Sequence, residues 1–105
     1  MLVGKALKFS DHKPRWNLLP WKPLEVVVRV MEHGLYEGTE KERKPNDYQK
    51  GTEWLKYWDA AIRHLTAWRD GEDNDESELS HIAHAAASCL ILLWYIIMKV
   101  GKDDR

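Results

Sequence analysis

Between Arg63 and His84 the chain gathers side chains able to bind phosphate, metal or protons: Arg63, His64, Glu72, Asp75, Glu76, His81 and His84. His81, His84 and Ser88 are spaced i, i+3 and i+7, so on a helix they share one stripe. Carboxylates together with imidazoles can hold a divalent cation. Oxygen ligands alone suit Mg²⁺ or Mn²⁺, and added imidazoles move the preference toward Mn²⁺ or softer metals. Such an ion neutralises phosphate oxygens and activates a water. The same residues have a second reading. Asp75 with Glu78 fits a capping box for the helix that follows, and acids in a first turn suit the helix dipole. Glu72 and Asp73 can be solvated turn residues, and His64 a surface or cap histidine. Spacing leaves both readings open.

Two further constellations carry weaker signals. Glu25, Arg29, Glu32 and Tyr36 form a polar stripe at i, i+4, i+7 and i+11. This is either a set of ion pairs on a solvated face or a carboxylate-bearing face turned toward the second helix. Lys13 and Arg15 beside Trp16 offer a phosphate clamp and a ring on which a base can stack, although packing explains Trp16 equally well. There is no Gly-rich phosphate loop, no Ser nucleophile motif and no zinc-type Cys/His spacing, which argues against a P-loop enzyme, a serine hydrolase or a zinc finger.

Three helices are expected to position these residues, in an all-α fold with an irregular N-terminal segment over 1–22. Pro14, Pro20 and Pro23 break regular structure there, and Trp16, Leu18, Leu19 and Trp21 are expected to pack the coil. Pro23 suits the first turn of a helix over 23–36, with Leu24, Val27, Val28, Met31 and Leu35 at helical spacing. Segment 37–51 lacks apolar periodicity and reads as a long loop. The second helix is expected over 52–70, capped by Thr52 and stopped by Gly71, with Trp54, Trp58, Ala61, Ile62, Leu65 and Trp68 on its apolar face. The third is expected over 77–100, stopped by Gly101. Its second half is apolar nearly all round, which calls for burial on every side. Three helices rarely supply that, so a homo-oligomeric bundle joined through helix 77–100 is expected.

Composition sets the frame. The 105 residues suffice for one domain. Hydrophobic content of 44% with 31% charged residues is that of a folded protein. The net charge of −1 provides no global field for a nucleic acid polymer. The longest uncharged apolar run, 85–98, is shorter than the roughly 20 residues of a membrane span, and the N-terminus lacks the apolar core of a secretory signal. A cytoplasmic protein without membrane contact is therefore expected. Cys89, the only cysteine, is expected to be a small buried residue. The six tryptophans are expected to fill core and interface.

Two stretches carry a resemblance. KALKFSDHKPRWNLLPWKPLEVVVRVMEHGLYEG and AAIRHLTAWRDGEDNDESELSHIAHAAASCLILL together resemble the phage-associated dATP/dGTP diphosphohydrolase family, whose members pair a "GKPR-D-L-P" opening with an "RH…GE..D.ESG..H..H" core. The positions that correspond are Lys13, Pro14, Arg15, Arg63, His64, Gly71, Glu72, Asp75, Glu76, Ser77, His81 and His84. The resemblance implies hydrolysis of a purine deoxynucleoside triphosphate to monophosphate and pyrophosphate. It also implies functional kinship with MazG-like all-α pyrophosphohydrolases, which are oligomeric and use Mg²⁺ or Mn²⁺. On that basis Glu72, Asp75 and Glu76 are expected to hold the cation. His64, Glu76 and His81 are expected to be catalytic, and Lys13, Arg15, Trp16, Arg63 and His84 to bind substrate, with the base near Trp16 or the loop from Tyr36 to Tyr48. The chain departs from the family at Glu78, where a glycine follows "ES"; at Asp47-Tyr48, in place of an "NW" pair; and at Ser88, where Asn is common. It also lacks the EExxE signature of typical MazG-like enzymes. The alternative expectation is a protein that sequesters a nucleotide or nucleotide signal without cleaving it. A phage-encoded chain would act in the host cytoplasm.

Overall fold

The computed structural model describes residues 12–36 and 46–105. The first eleven residues and segment 37–45, expected to be irregular and loop, lie outside the described part, as do the side chains of Leu35 and Tyr36. Among the described residues the architecture is all-α: α1 spans Trp21–Tyr36, α2 Trp54–Arg69 and α3 His81–Met98. Short 3₁₀ turns at Trp16–Leu18 and Asp47–Lys50 fall inside the segments read as coil and loop. There are no strands among the described residues, only two isolated bridges, Glu53 with Lys102 and Asn74 with Ser80.

α3 is the central element. α1 and α2 each pack on it, and they do not pack on one another. Small residues make this possible, because an alanine surface lets a neighbouring helix approach closely on two sides. Ala83 and Ala87 meet Val30 of α1, flanked by Val27, Met31 and Leu79. Toward α2, Tyr95, which is 1% exposed, meets Tyr57 edge to face with ring centroids 5.5 Å apart. A bundle closed around a common core is thus not formed by the described residues of a single chain.

Several expected details are corrected. α1 starts two residues before Pro23, which occupies its first turn, where a missing N–H costs nothing. α2 is capped at Glu53 rather than Thr52, without a side-chain cap bond. α3 begins at His81, later than expected, because Asp75 does not cap it. Ser80 does, its hydroxyl accepting from the amides of Ile82 at 3.1 Å and Ala83 at 3.4 Å. α2 ends as expected near Gly71. The amides of Gly71 and Glu72 bond the carbonyls of Trp68 and Ala67, a closing pattern that needs the left-handed φ of +104° at Gly71.

The inner faces also differ. Val28 is exposed and Val30 is the buried residue of α1. α2 turns Tyr57, Ala61 and His64 inward, while Trp58, Ile62, Leu65 and Trp68 remain exposed. Trp16, Leu18, Leu19 and Trp21 do not pack the coil into a core but are exposed. Cys89 is exposed, not buried. Leu90, Leu93, Ile96, Ile97 and Met98 of α3 are exposed too, so its second half is not buried all round within one chain. The apolar run expected to fall short of a membrane span sits in an 18-residue helix. By length and composition alone that helix is long enough to cross one, and a third of it is buried inside the chain.

Candidate active site

Antiparallel packing of α2 on α3 brings the end of the first helix against the start of the second, and the turn 70–80 folds over both. His64 comes from the last two turns of α2, and His81 and His84 from the first turn of α3. Their rings form one cluster. His64 and His84 stack with centroids 4.6 Å apart and planes 12° from parallel. The Nδ1 atoms of His64 and His81 share a hydrogen bond of 2.8 Å. His81 is buried. Its Nε2 has no hydrogen-bond partner among the described residues, and the Glu72 carboxylate lies 3.5 Å away.

Asp75 supplies the charge. Its Oδ2 lies 3.1 Å from His84 Nε2. Its Oδ1 accepts from the Ser77 amide at 2.8 Å and from the Ser77 hydroxyl. That hydroxyl also lies 3.0 Å from His84 Nε2. The turn is shaped for this. The Glu78 amide bonds the Asp75 carbonyl, with Glu78 in the left-handed region at φ +67°. That conformation favours glycine, and glycine is what the resembling family carries there.

The environment favours the neutral forms of His64 and His84 and the ionised form of Asp75. Burial is the main cause that lowers the pKa of His64 below 6.5, helped by repulsion from His84 and His81. Burial also lowers His84, with His33 and His81 adding to it, against the opposing pull of Asp75. For Asp75, burial favours the neutral acid, but the two hydrogen bonds from Ser77 and the nearby histidines outweigh it and hold the carboxyl below its usual range.

Among the described residues, His64, Asp75 and His84 form the group whose ligand atoms converge, all within 4.8 Å of one another. The acid trio expected to hold a metal does not converge: Glu72 and Glu76 are exposed and outside that group. Lys13, Arg15, Trp16 and Arg63 are likewise exposed. Of the carboxylates of α1, Glu32 borders a cavity that Tyr57 of α2 also lines. Glu25 and Glu32 pair with Arg29 on an exposed face, at 3.5 and 3.6 Å.

Sequence reasoning missed a cavity of about 450 Å³ beside the cluster, lined by Met31, Tyr48, Tyr57, His84 and Ser88 among others. A pocket of this size and largely apolar lining is typical of small-molecule sites. The available signal was weak. Tyr48 stands in a segment without periodicity, and Tyr57 was hidden among the more conspicuous tryptophans of α2. His84 belongs to both the cavity and the cluster, so the two are one continuous site.

The comparisons with known proteins agree with the motif. Residues 3–105 match the family model described as dATP/dGTP diphosphohydrolase, N-terminal. A protein of Salmonella phage PMBT28 named dATP/dGTP diphosphohydrolase is 30% identical over 101 residues, which is 95% of this chain. The chain spans 33% of the length of that curated relative. No solved structure matches.

Proposed function

The chain belongs to the dATP/dGTP diphosphohydrolase family, matching its N-terminal part, and from that premise we propose that it hydrolyses a purine deoxynucleoside triphosphate to the monophosphate and pyrophosphate. The observation that carries this reading is the position of His84 between an apolar, tyrosine-walled cavity and a cluster of histidines and a carboxylate. A purine and its sugar fit the chemistry of the first, and phosphates that of the second. The water oxygen bonds to phosphorus, the α–β anhydride bond breaks, pyrophosphate leaves with the bonding electron pair, and the proton of the water passes to a base. His64 and His84, whose neutral forms burial favours, are suited to that last task, which contributes typically ~10²–10⁴ in rate. In this reading exposed Arg63, whose charge acts on His64, with Lys13 and Arg15, binds the leaving phosphates.

A bound divalent cation would neutralise phosphate oxygens and lower the pKa of a water. The all-oxygen site that Mg²⁺ prefers is not the donor set found, because two of the three converging ligands are imidazoles. Of the expected set of Glu72, Asp75 and Glu76, Asp75 alone belongs to the converging group among the described residues. The exposed apolar faces of α2 and α3 support self-association of the chain, which remains part of this reading.

A second reading is favoured by one observation, the departure from the family at Glu78, which stands in the left-handed region at φ +67° in the turn that presents Asp75. The chain would then bind a purine nucleotide without cleaving it. Thermal melting with each dNTP, in parallel with ion-exchange analysis of the products, separates the two. Stabilisation by dATP or dGTP with release of pyrophosphate is expected of the hydrolase. Stabilisation without product would establish the binding module instead.

A further inference from the structure

We propose that His64, Asp75 and His84 hold a resident first-row transition-metal ion, bound through two imidazoles and one carboxylate, and that the chain from Glu72 through His81 to His64 orients one of those imidazoles. The proposal deepens the reading of this site as a hydrolase, but it stands on the donor set and not on turnover.

The geometry is close to what an ion requires. Metal–ligand bonds of about 2.1 Å place neighbouring ligand atoms roughly 3.0–4.2 Å apart. His84 Nε2 and Asp75 Oδ2 are already 3.1 Å apart, and the three ligand atoms fall within 4.8 Å. The His64 and His84 rings, stacked with planes 12° from parallel, must rotate apart for both to aim a nitrogen at one ion. The carboxylate is fixed from behind by the Ser77 amide and hydroxyl, so it presents Oδ2 without searching other rotamers.

One hydrogen bond and one ion-pair contact point to the tautomers. His81 Nε2 is buried, and Glu72 offers the nearest carboxylate, at 3.5 Å. A carboxylate accepts, so His81 carries its proton on Nε2 and its Nδ1 is an acceptor. His64 must then donate from Nδ1 across the 2.8 Å contact. This leaves the lone pair of His64 on Nε2, free to ligate. A metal-binding histidine that donates its other N–H to an acceptor is the usual means of fixing ring orientation. His81 is therefore a positioning residue.

The donor set selects the ion. Two imidazole nitrogens and one carboxylate oxygen suit Mn²⁺, Fe²⁺, Co²⁺, Ni²⁺ or Zn²⁺, whereas Mg²⁺ demands oxygen. Three protein ligands leave positions open for water or a phosphate oxygen.

The test is to titrate the chelator-treated chain with Co²⁺, following its visible absorption. Metal retained after dialysis against Zn²⁺, Mn²⁺ and Mg²⁺ is then counted. One equivalent per chain, not displaced by excess Mg²⁺, is expected. Asp75→Asn and His84→Ala should abolish it. His81→Gln should weaken affinity by about 10–100-fold while leaving the stoichiometry unchanged, and Glu25→Gln should leave binding unchanged. Circular dichroism of each variant identifies any that fail to fold. The proposal is overturned if no ion is retained, if Mg²⁺ competes equally, or if folded Asp75→Asn binds as well as the parent. Tight binding of Co²⁺ without release of pyrophosphate would leave the metal site standing and remove the hydrolase reading. Hydrolysis with Mg²⁺ by a chain that retains no transition metal would do the reverse.

Discussion

Glu78 adopts φ +67° in the turn that presents Asp75 and Ser77, a conformation that costs an L-residue roughly 1–2 kcal/mol. Glycine removes that strain but gains freedom in the unfolded chain, which offsets part of it. Glu78→Gly should therefore raise stability by up to about 1 kcal/mol in urea unfolding. A decrease would show that the carboxylate has a structural role. The histidines give a second prediction at this scale. His64 and His84 have pKa values below 6.5 in the folded, metal-free chain, so the folded state binds fewer protons than the unfolded one. Their contribution is fully present above the unfolded value and is lost as pH falls through the folded values. With chelator present, the urea midpoint should drop from about pH 7.5 to about pH 5, and drop less in His84→Gln. An equal slope in both proteins would refute the assignment. The residues of the cluster were legible as a group because their types are rare together and their spacing repeats on one stripe. Which of them converge was not legible, since that depends on the turn. Asp75 looked like a cap, but Ser80 caps α3 and frees Asp75 for His84. Glu72 and Glu76 looked equivalent to Asp75 and are exposed.

At the level of the elements, the start of α2 is held by the end of the chain. The Trp54 amide bonds the Lys102 carbonyl at 2.9 Å and the Lys102 amide bonds Thr52. The Leu55 amide is capped by the Asp104 carboxylate at 3.0 Å, and the Trp54 indole donates to the Val100 carbonyl. The cap that Glu53 does not supply thus comes from 49 residues away. Asp104→Ala should cost about 1 kcal/mol, as a lost N-cap does, and should lower hydrogen-exchange protection of the Leu55 amide. Gly101→Ala should cost more, because its φ is +78° and a Cβ there would collide with the Thr52 carbonyl. If thermal melts of both variants overlay the parent, the clasp contributes nothing. Helix number and order followed from periodicity and from Gly71. The faces did not. Tryptophans were expected inside because they are large, but α2 meets α3 through small and polar residues such as Ala61 and His64. A large-residue face reads the same whether it meets another helix of its chain or a different surface.

For the whole molecule, the packing of α1 and α2 on α3 leaves apolar side chains exposed, among them Trp58, Ile62, Leu93 and Ile97. Surfaces of that kind mark association. Light scattering after gel filtration should find more than one chain per particle, with Leu93→Glu plus Ile97→Glu shifting it toward monomer. A monomeric parent would contradict self-association. In the proposed reading His84 links a nucleotide-binding cavity to a metal-binding histidine cluster. The direct measurement is pyrophosphate release from dGTP and dATP by the parent chain and by folded His84→Ala, with Mn²⁺, Co²⁺ and Mg²⁺ each supplied. Release by the parent, reduced at least ~10²-fold in the variant, is the predicted result. A parent that releases none from either nucleotide, or a variant that keeps the parent's rate, would contradict it.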